Sequence, residues 1–492
     1  MSGFLLVLAI MLPPAWVALM LVAGGRASEH LAHLFVPFGL AISLVIAALV
    51  ADGGPIIYFL GGWRPPLGVG LRADGLSAAM LVMTAVVMAA TAVFAAPAFR
   101  TPEGQSEARA PFAFWVLLIA LWGALNLVFL AQDLFTLFVA LELLTFGAVP
   151  LVCLDGSAAT LRAALRYLLF ALVGSAFYLL GAALLYGAHG TLDILLLAER
   201  ARAGTGAGIT LFAICLMVAG MLAKAALFPF HLWLPPAHAG APPAASVVLS
   251  ALVIKAPIFL AMRLWYDIAP VPEAGATLLA LLGAGAILFC GTLAFQQERL
   301  KLLVAYSTAS QIGYLFLMFP LTGAEPFASI AWTGGVLHLV SHAFSKAAMF
   351  MAAGLIAEAM GHDRISGLSG VGRLLPMSVF AFGLGGLSLM GLPPSGGFTA
   401  KVMLLSAAVA QSAWWIAVVI LLGGLLAGGY VLRLVLAAIA PGPMPVPVKA
   451  ISRRRELIAL ALALCAIALG FVPLQPSSLL AIGRPGSWEA MP

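Results

Sequence analysis

Charge is what this 492-residue chain has least of. Only 9% of its residues are Asp, Glu, Lys or Arg, against 63% hydrophobic, and the mean hydropathy is +1.13. Those values exclude a water-soluble globular protein. Cysteine is scarce as well. Cys153, Cys215, Cys290 and Cys465 stand singly, and without a CxxC pair neither an iron–sulfur cluster nor a zinc site is indicated. No glycine-rich loop follows a strand-like run, which argues against a nucleotide site, and no basic–aromatic patch suggests nucleic acid. The expectation is a chain with no cofactor, no metal and no redox or ATP chemistry of its own.

What is present is apolar length. Runs of about 20 residues, enough to cross ~30 Å of hydrocarbon, recur along the whole sequence. They fall at 3–23, 31–50, 74–97, 111–130, 133–154, 161–186, 207–230, 242–266, 275–295, 301–320, 326–359, 374–410, 412–439 and 456–471. The expected fold is therefore an all-α polytopic membrane protein of about fourteen transmembrane helices. Met1–Phe4 carries no basic residue and the first run is longer than a usual signal-peptide core, so it reads as a retained helix. With the N-terminus outside, the inner loops hold thirteen Lys and Arg. The outer side holds five: Arg64, Arg72, Arg200, Arg202 and Arg484. That bias sets both termini outside, and the expected location is a bacterial plasma membrane.

Two runs break next to a lysine. One reads MLAKAALFPFH around Lys224 and Pro229, the other GLPPSGGFTAK ending at Lys401. Proline inside a span frees backbone groups that only protein or trapped water can satisfy. Paired breaks in corresponding halves point to an ion site in an inverted-repeat transporter. The breaks are five spans apart, in the seventh and twelfth, which suggests two inverted five-helix repeats over spans 4–8 and 9–13. The expected parts are residues 1–110 (helices 1–3), 111–267 (first repeat), 268–440 (second repeat) and 441–492 (helix 14 and tail).

Of six lysines, four (Lys224, Lys255, Lys346 and Lys401) lie inside apolar runs. An ammonium there costs at least ~2.5–3.5 kcal/mol, so such a placement suggests an ion path, with the proton as the favoured ion. Glu142 is the one charge in 134–150 and needs a partner or a proton. A static ion pair with Lys224 is the plainer alternative to a switching one. His338, His342 and Lys346, at i, i+4 and i+8, share one helical stripe. Histidine titrates near neutrality and suits a relay, whereas HxxxH without a carboxylate lacks the usual metal set. Tyr306, Ser307, Thr308, Ser310, Gln311 and Tyr314 either hold a file of water or bond between helices. His231 and His238 beside Pro235–Pro236, with Asp133, Glu358 and Asp363, are expected at the membrane interface.

These residues, in this order, resemble the antiporter-like subunits shared by Mrp cation/proton antiporters, complex I (NADH:quinone oxidoreductase) and membrane-bound hydrogenases. The likeness rests on LFVALELLTFGAVP with Glu142, HLWLPPAHAGAPPAASVVLSALVIK ending at Lys255, HLVSHAFSKAAMF, and GLPPSGGFTAK. GGWRPPLGVGLRADGLSAAMLV is similar to the D-type member of the Mrp antiporters. The resemblance implies proton transfer by Glu142, Lys224, Lys255, His338, His342, Lys346 and Lys401 along the membrane's mid-plane. It also implies a hetero-oligomeric complex with homologous and small membrane subunits, carrying protons and, in an antiporter, Na+. Mrp-type antiport is the favoured reading, with a redox-driven proton pump and a structural scaffold as alternatives.

Overall fold

The computed structural model describes residues 2–203, 206–268, 272–323, 328–442, 445–472 and 479–484. Twelve helices among them are long and apolar enough to cross a membrane. They are Ser2–Ala23, Gly25–Gly53, Gly75–Ala95, Arg109–Leu130, Leu134–Val152, Ala158–His189, Ala207–Lys224, Pro243–Ile268, Glu273–Gln296, Leu300–Leu321, Ala328–Met360 and Trp414–Ile439. The run expected at 374–410 is two half-length helices, Pro376–Met390 and Gly396–Ala410. The last run begins earlier, as the 16-residue helix Arg453–Ala468.

One departure from an all-helical chain is a small hairpin. Ile56–Phe59 pairs antiparallel with Gly70–Ala73, from Ile56↔Ala73 to Phe59↔Gly70. Its first strand, IIYF, is β-branched and aromatic, the composition that favours a pleated surface.

The chain forms two compact units. The first comprises Met1–Ala225, Leu252–Pro272 and Gln475–Pro492, the second Ala226–Ala251 and Glu273–Leu474. Glycine lets helices pack closely in each. In the first, a Cβ on Gly174 would stand 2.6 Å from the Gly220 carbonyl, and one on Gly220 only 2.3 Å from the Gly174 carbonyl. In the second, Gly283 and Gly313 face each other at the same two distances. Lipid offers no hydrophobic drive between helices, so such small-residue contacts supply the packing.

A second motif also occurs once in each unit. Asp133 bridges Asp193, with Leu134 N donating to Leu192 O (2.9 Å) and Ile194 N to Gln132 O (3.0 Å). Arg299 bridges Arg364, with Leu300 N donating to Asp363 O (2.7 Å) and Ile365 N to Glu298 O (2.9 Å). In both, the stretch entering one spanning helix is pinned to the stretch leaving the next long one.

Candidate functional site

In the first unit, Glu142 and Thr145 lie one turn apart on Leu134–Val152, and Lys224 ends Ala207–Lys224. Lys224 Nζ donates to Glu142 Oε1 at 3.2 Å and to Thr145 Oγ1 at 3.1 Å. Ser175 Oγ donates to the same Glu142 oxygen. The lysine side chain is 6% exposed and the carboxylate 17%, so the charges are shielded together. Gly174 makes the contact possible: a Cβ there would stand 3.0 Å from Lys224 Cγ. Lys224, Thr145, Tyr167, Val253 and Pro257 line a cavity of about 10 Å³, room for roughly one water. Lys255 is fully buried and begins an α-helical stretch just after a π-helical one, Leu249–Val253. Such π segments frequently mark functional sites.

In the second unit, His338, His342 and Lys346 are all buried on one helix. The two imidazoles stack at 6.0 Å between centroids, and His338 Nε2 bonds Gln311 O at 3.2 Å. Lys346 Nζ donates to Val304 O at 3.2 Å and to Ser307 Oγ. Lys401 Nζ donates to Leu389 O at 2.5 Å and sits 4.1 Å from the Tyr314 ring centroid. Tyr314 in turn lies 5.2 Å from His338. The break supplies the acceptor, because the last carbonyls of Pro376–Met390 have no intrahelical donor. Gly391, at φ +81°, turns the chain there, and a Cβ on it would stand 2.7 Å from Lys401 Cδ. Ser395 caps the second half-helix through Phe398 N at 3.1 Å.

The hydroxyl-rich helix Leu300–Leu321 bonds to its neighbours. Thr308 bonds Ser250 (2.9 Å), Ser310 donates to Ile287 O (3.0 Å) and Tyr314 to Ile420 O (3.2 Å). His231 and His238 are both buried within the second unit, and His238 stacks on Phe350 at 4.7 Å. Glu358 pairs with Lys449 (2.7 Å) and Arg455 (2.8 Å), and Asp363 with Arg299 (3.0 Å).

Arg72, read from sequence as a loop charge, is buried in a quartet that sequence reasoning missed. Asp74 meets Arg72 at 2.5 Å and Arg263 at 2.7 Å; Asp267 meets both arginines at 3.4 Å. Burial tends to raise the Asp74 carboxyl, but Arg263 and Arg72 outweigh it and hold it below the ordinary carboxylate range. The quartet ties the hairpin to the end of Pro243–Ile268. Ser175, Thr145 and Tyr314 as solvating groups were also missed, although Thr145 at i+3 from Glu142 carried a signal.

Spanning helices with buried lysines in both units define a polytopic membrane protein that carries charge inside its membrane segments. Residues 131–427 match the family described as NADH:quinone oxidoreductase/Mrp antiporter, transmembrane, and the chain belongs to it. It is 31% identical to NADH-quinone oxidoreductase subunit N of Desulforudis audaxviator, over 85% of this chain and 84% of that one. To the D-type subunit of the Na(+)/H(+) antiporter of Alkalihalophilus pseudofirmus it is 30% identical, over 75% and 73%. A chain of the Mrp complex from a Dietzia species superimposes with a TM-score of 0.89 at 25% identity, covering 99% of this chain and 98% of that one. A chain of the archaeal membrane-bound sulfane sulfur reductase gives 0.86 at 26% identity, covering 97% and 96%. The protein is a multi-pass, proton-translocating, antiporter-like subunit of a multisubunit membrane complex.

Proposed function

We propose that this subunit works in Mrp-type exchange of a monovalent cation, Na+, for protons, in a bacterial plasma membrane with both termini outside. Glu142, Lys224 and Lys255 carry protons in the first unit; His338, His342, Lys346 and Lys401 carry them in the second. The observation that supports this most is the shielded Glu142–Lys224 contact at a helix end, beside room for one water. While paired, Lys224 keeps its proton; drawn away from Glu142, burial favours the neutral amine and the proton moves on. The twin bridges Asp133↔Asp193 and Arg299↔Arg364 support inverted repeats over 111–267 and 268–440, within fourteen spans. The small membrane subunits and homologous subunits of such a complex are the partners.

A redox-driven complex is the second reading, favoured by the likeness to an NADH-quinone oxidoreductase subunit and to the sulfane sulfur reductase. Neighbouring genes separate the two: small Mrp-type subunits for the first, iron–sulfur subunits for the second. Expression of the whole cluster in antiporter-deficient cells should restore Na+/proton exchange, and expression of this chain alone should not. Full exchange by the single chain would overturn the requirement for partners.

A further inference from the structure

Beside the hairpin, the first unit holds three polar side chains that the proton axis does not use. Gln132 and Asp193 are 3% and 5% exposed, and Asp133 is half-buried. Three backbone stretches frame them. Gly70 O accepts from Gln132 N (3.1 Å), and Asp133 bridges Asp193. Gln132 Nε2 donates to Asp193 Oδ2 at 2.8 Å, which leaves the buried Gln132 Oε1 with no hydrogen-bond donor. A buried carbonyl oxygen without a donor is costly unless water or a cation meets it. Asp193 forms no ion pair among the described residues, and burial pushes its carboxyl above the ordinary range. Gly70 leaves room beside them for about a methyl group: a Cβ there would make ordinary 3.5 Å contacts with Asp193 Oδ2 and with Gln132 Cδ and Nε2.

The fold itself does not demand the acids. The matching bridge of the second unit is built with Arg299 and Arg364, and Arg299 enters its helix without any side-chain cap.

We propose that Asp193, Gln132 and Asp133 form a binding site for a monovalent cation of the sodium class, seated beside Gly70. Oxygen donors suit a hard cation. Both carboxylates also cap helices, Asp133 at Thr136 N (2.8 Å) and Asp193 at Leu196 N (3.0 Å). Two helix N-termini of about +0.5 each offset half of the two negative charges, leaving roughly one, which fits a single rather than a double positive charge.

The site adds a cation station to the proposed exchange. Its test is equilibrium binding of radiolabelled Na+ to the whole purified complex, with Asp193→Asn, Gln132→Leu and Gly70→Ala. Gly70→Ala removes no ligand, and its methyl meets only ordinary contacts, so it should fold while filling the space. Each variant should weaken Na+ binding by about 10-fold or more. Unchanged affinity in Asp193→Asn and Gly70→Ala would mean that water fills the space and would end the proposal. If Asp193→Asn does not assemble, the other two variants decide by the same criterion. Displacement of Na+ by equal Ca2+ would overturn the assignment to a monovalent ion. So would variants that alter only the pH dependence of transport, the mark of a proton port. A Glu142→Ala complex should lose transport yet bind Na+ normally, so failure of the transport reading and failure of this site are separately visible.

Discussion

Lys224 and Lys401 both stand beside a break in a membrane helix, yet their surroundings differ. Lys224 meets a carboxylate and two hydroxyl-bearing residues around it, whereas the contacts of Lys401 are a backbone carbonyl and the face of Tyr314. A carboxylate partner balances the ammonium charge and must be moved to release the proton. A carbonyl and a ring are fixed dipoles, and they leave the amine dependent on its surroundings for its charge. The comparison teaches that the first unit meets its buried lysine with an opposite charge, and the second meets its own with fixed dipoles.

The strongest way to break that contrast is to remove the pair. Glu142→Ala and Lys224→Ala each remove one partner of the shielded pair; for a switching pair the expected loss is at least ~100-fold in rate, about 3 kcal/mol of barrier. Proton transport in membrane vesicles carrying the complex should fall to background while the assembled amount holds. Full transport by both variants would refute the switching role. Lys401→Arg sharpens the other side, since arginine keeps the charge but does not deprotonate. Transport should fall roughly tenfold to a hundredfold if Lys401 must lose its proton; a wild-type rate would make its role electrostatic only.

Smaller effects follow from what surrounds each lysine. Gly174→Ala forces a methyl against Gly220 O and crowds the Lys224 stem, with a cost of about 1–3 kcal/mol read as a lower melting temperature of the complex. Ser175→Ala removes one donor from Glu142 and should slow transport roughly fivefold, for about 1 kcal/mol. Smallest is Asp363→Asn, because Arg299 is half-exposed and such pairs are worth about 0.2–1 kcal/mol. A large loss of stability there would show that the second unit's bridge depends on its side chains after all.

Much of this was legible before any coordinates. The apolar runs at 207–230 and 326–359 correspond to helices because span length is set by bilayer thickness. The breaks at 391–395 and after Lys224 announced themselves through proline and glycine beside lysine. Less was legible where spacing along the chain carries no signal. Glu142 and Lys224 are 82 residues apart, and Arg72 looked like a loop charge, with Arg263 not singled out at all. His231 and His238 are buried by packing that polarity alone does not foretell.

The sequence by itself determined the class of protein: composition forbids a soluble fold, apolar length demands spanning helices, and lysines placed in hydrocarbon demand a use. The tertiary structure decided which groups solvate each lysine. It drew Gly174 against Gly220 so that Lys224 reaches Glu142, and aimed the Leu389 carbonyl, freed by a helix break, at Lys401. It also set Gln132 against Asp193, leaving the buried Gln132 amide oxygen without a donor. The physical reason is the same in each case. A helix fixes neighbours three and four residues apart, but the partner of a buried charge lies on another helix, where only packing places it.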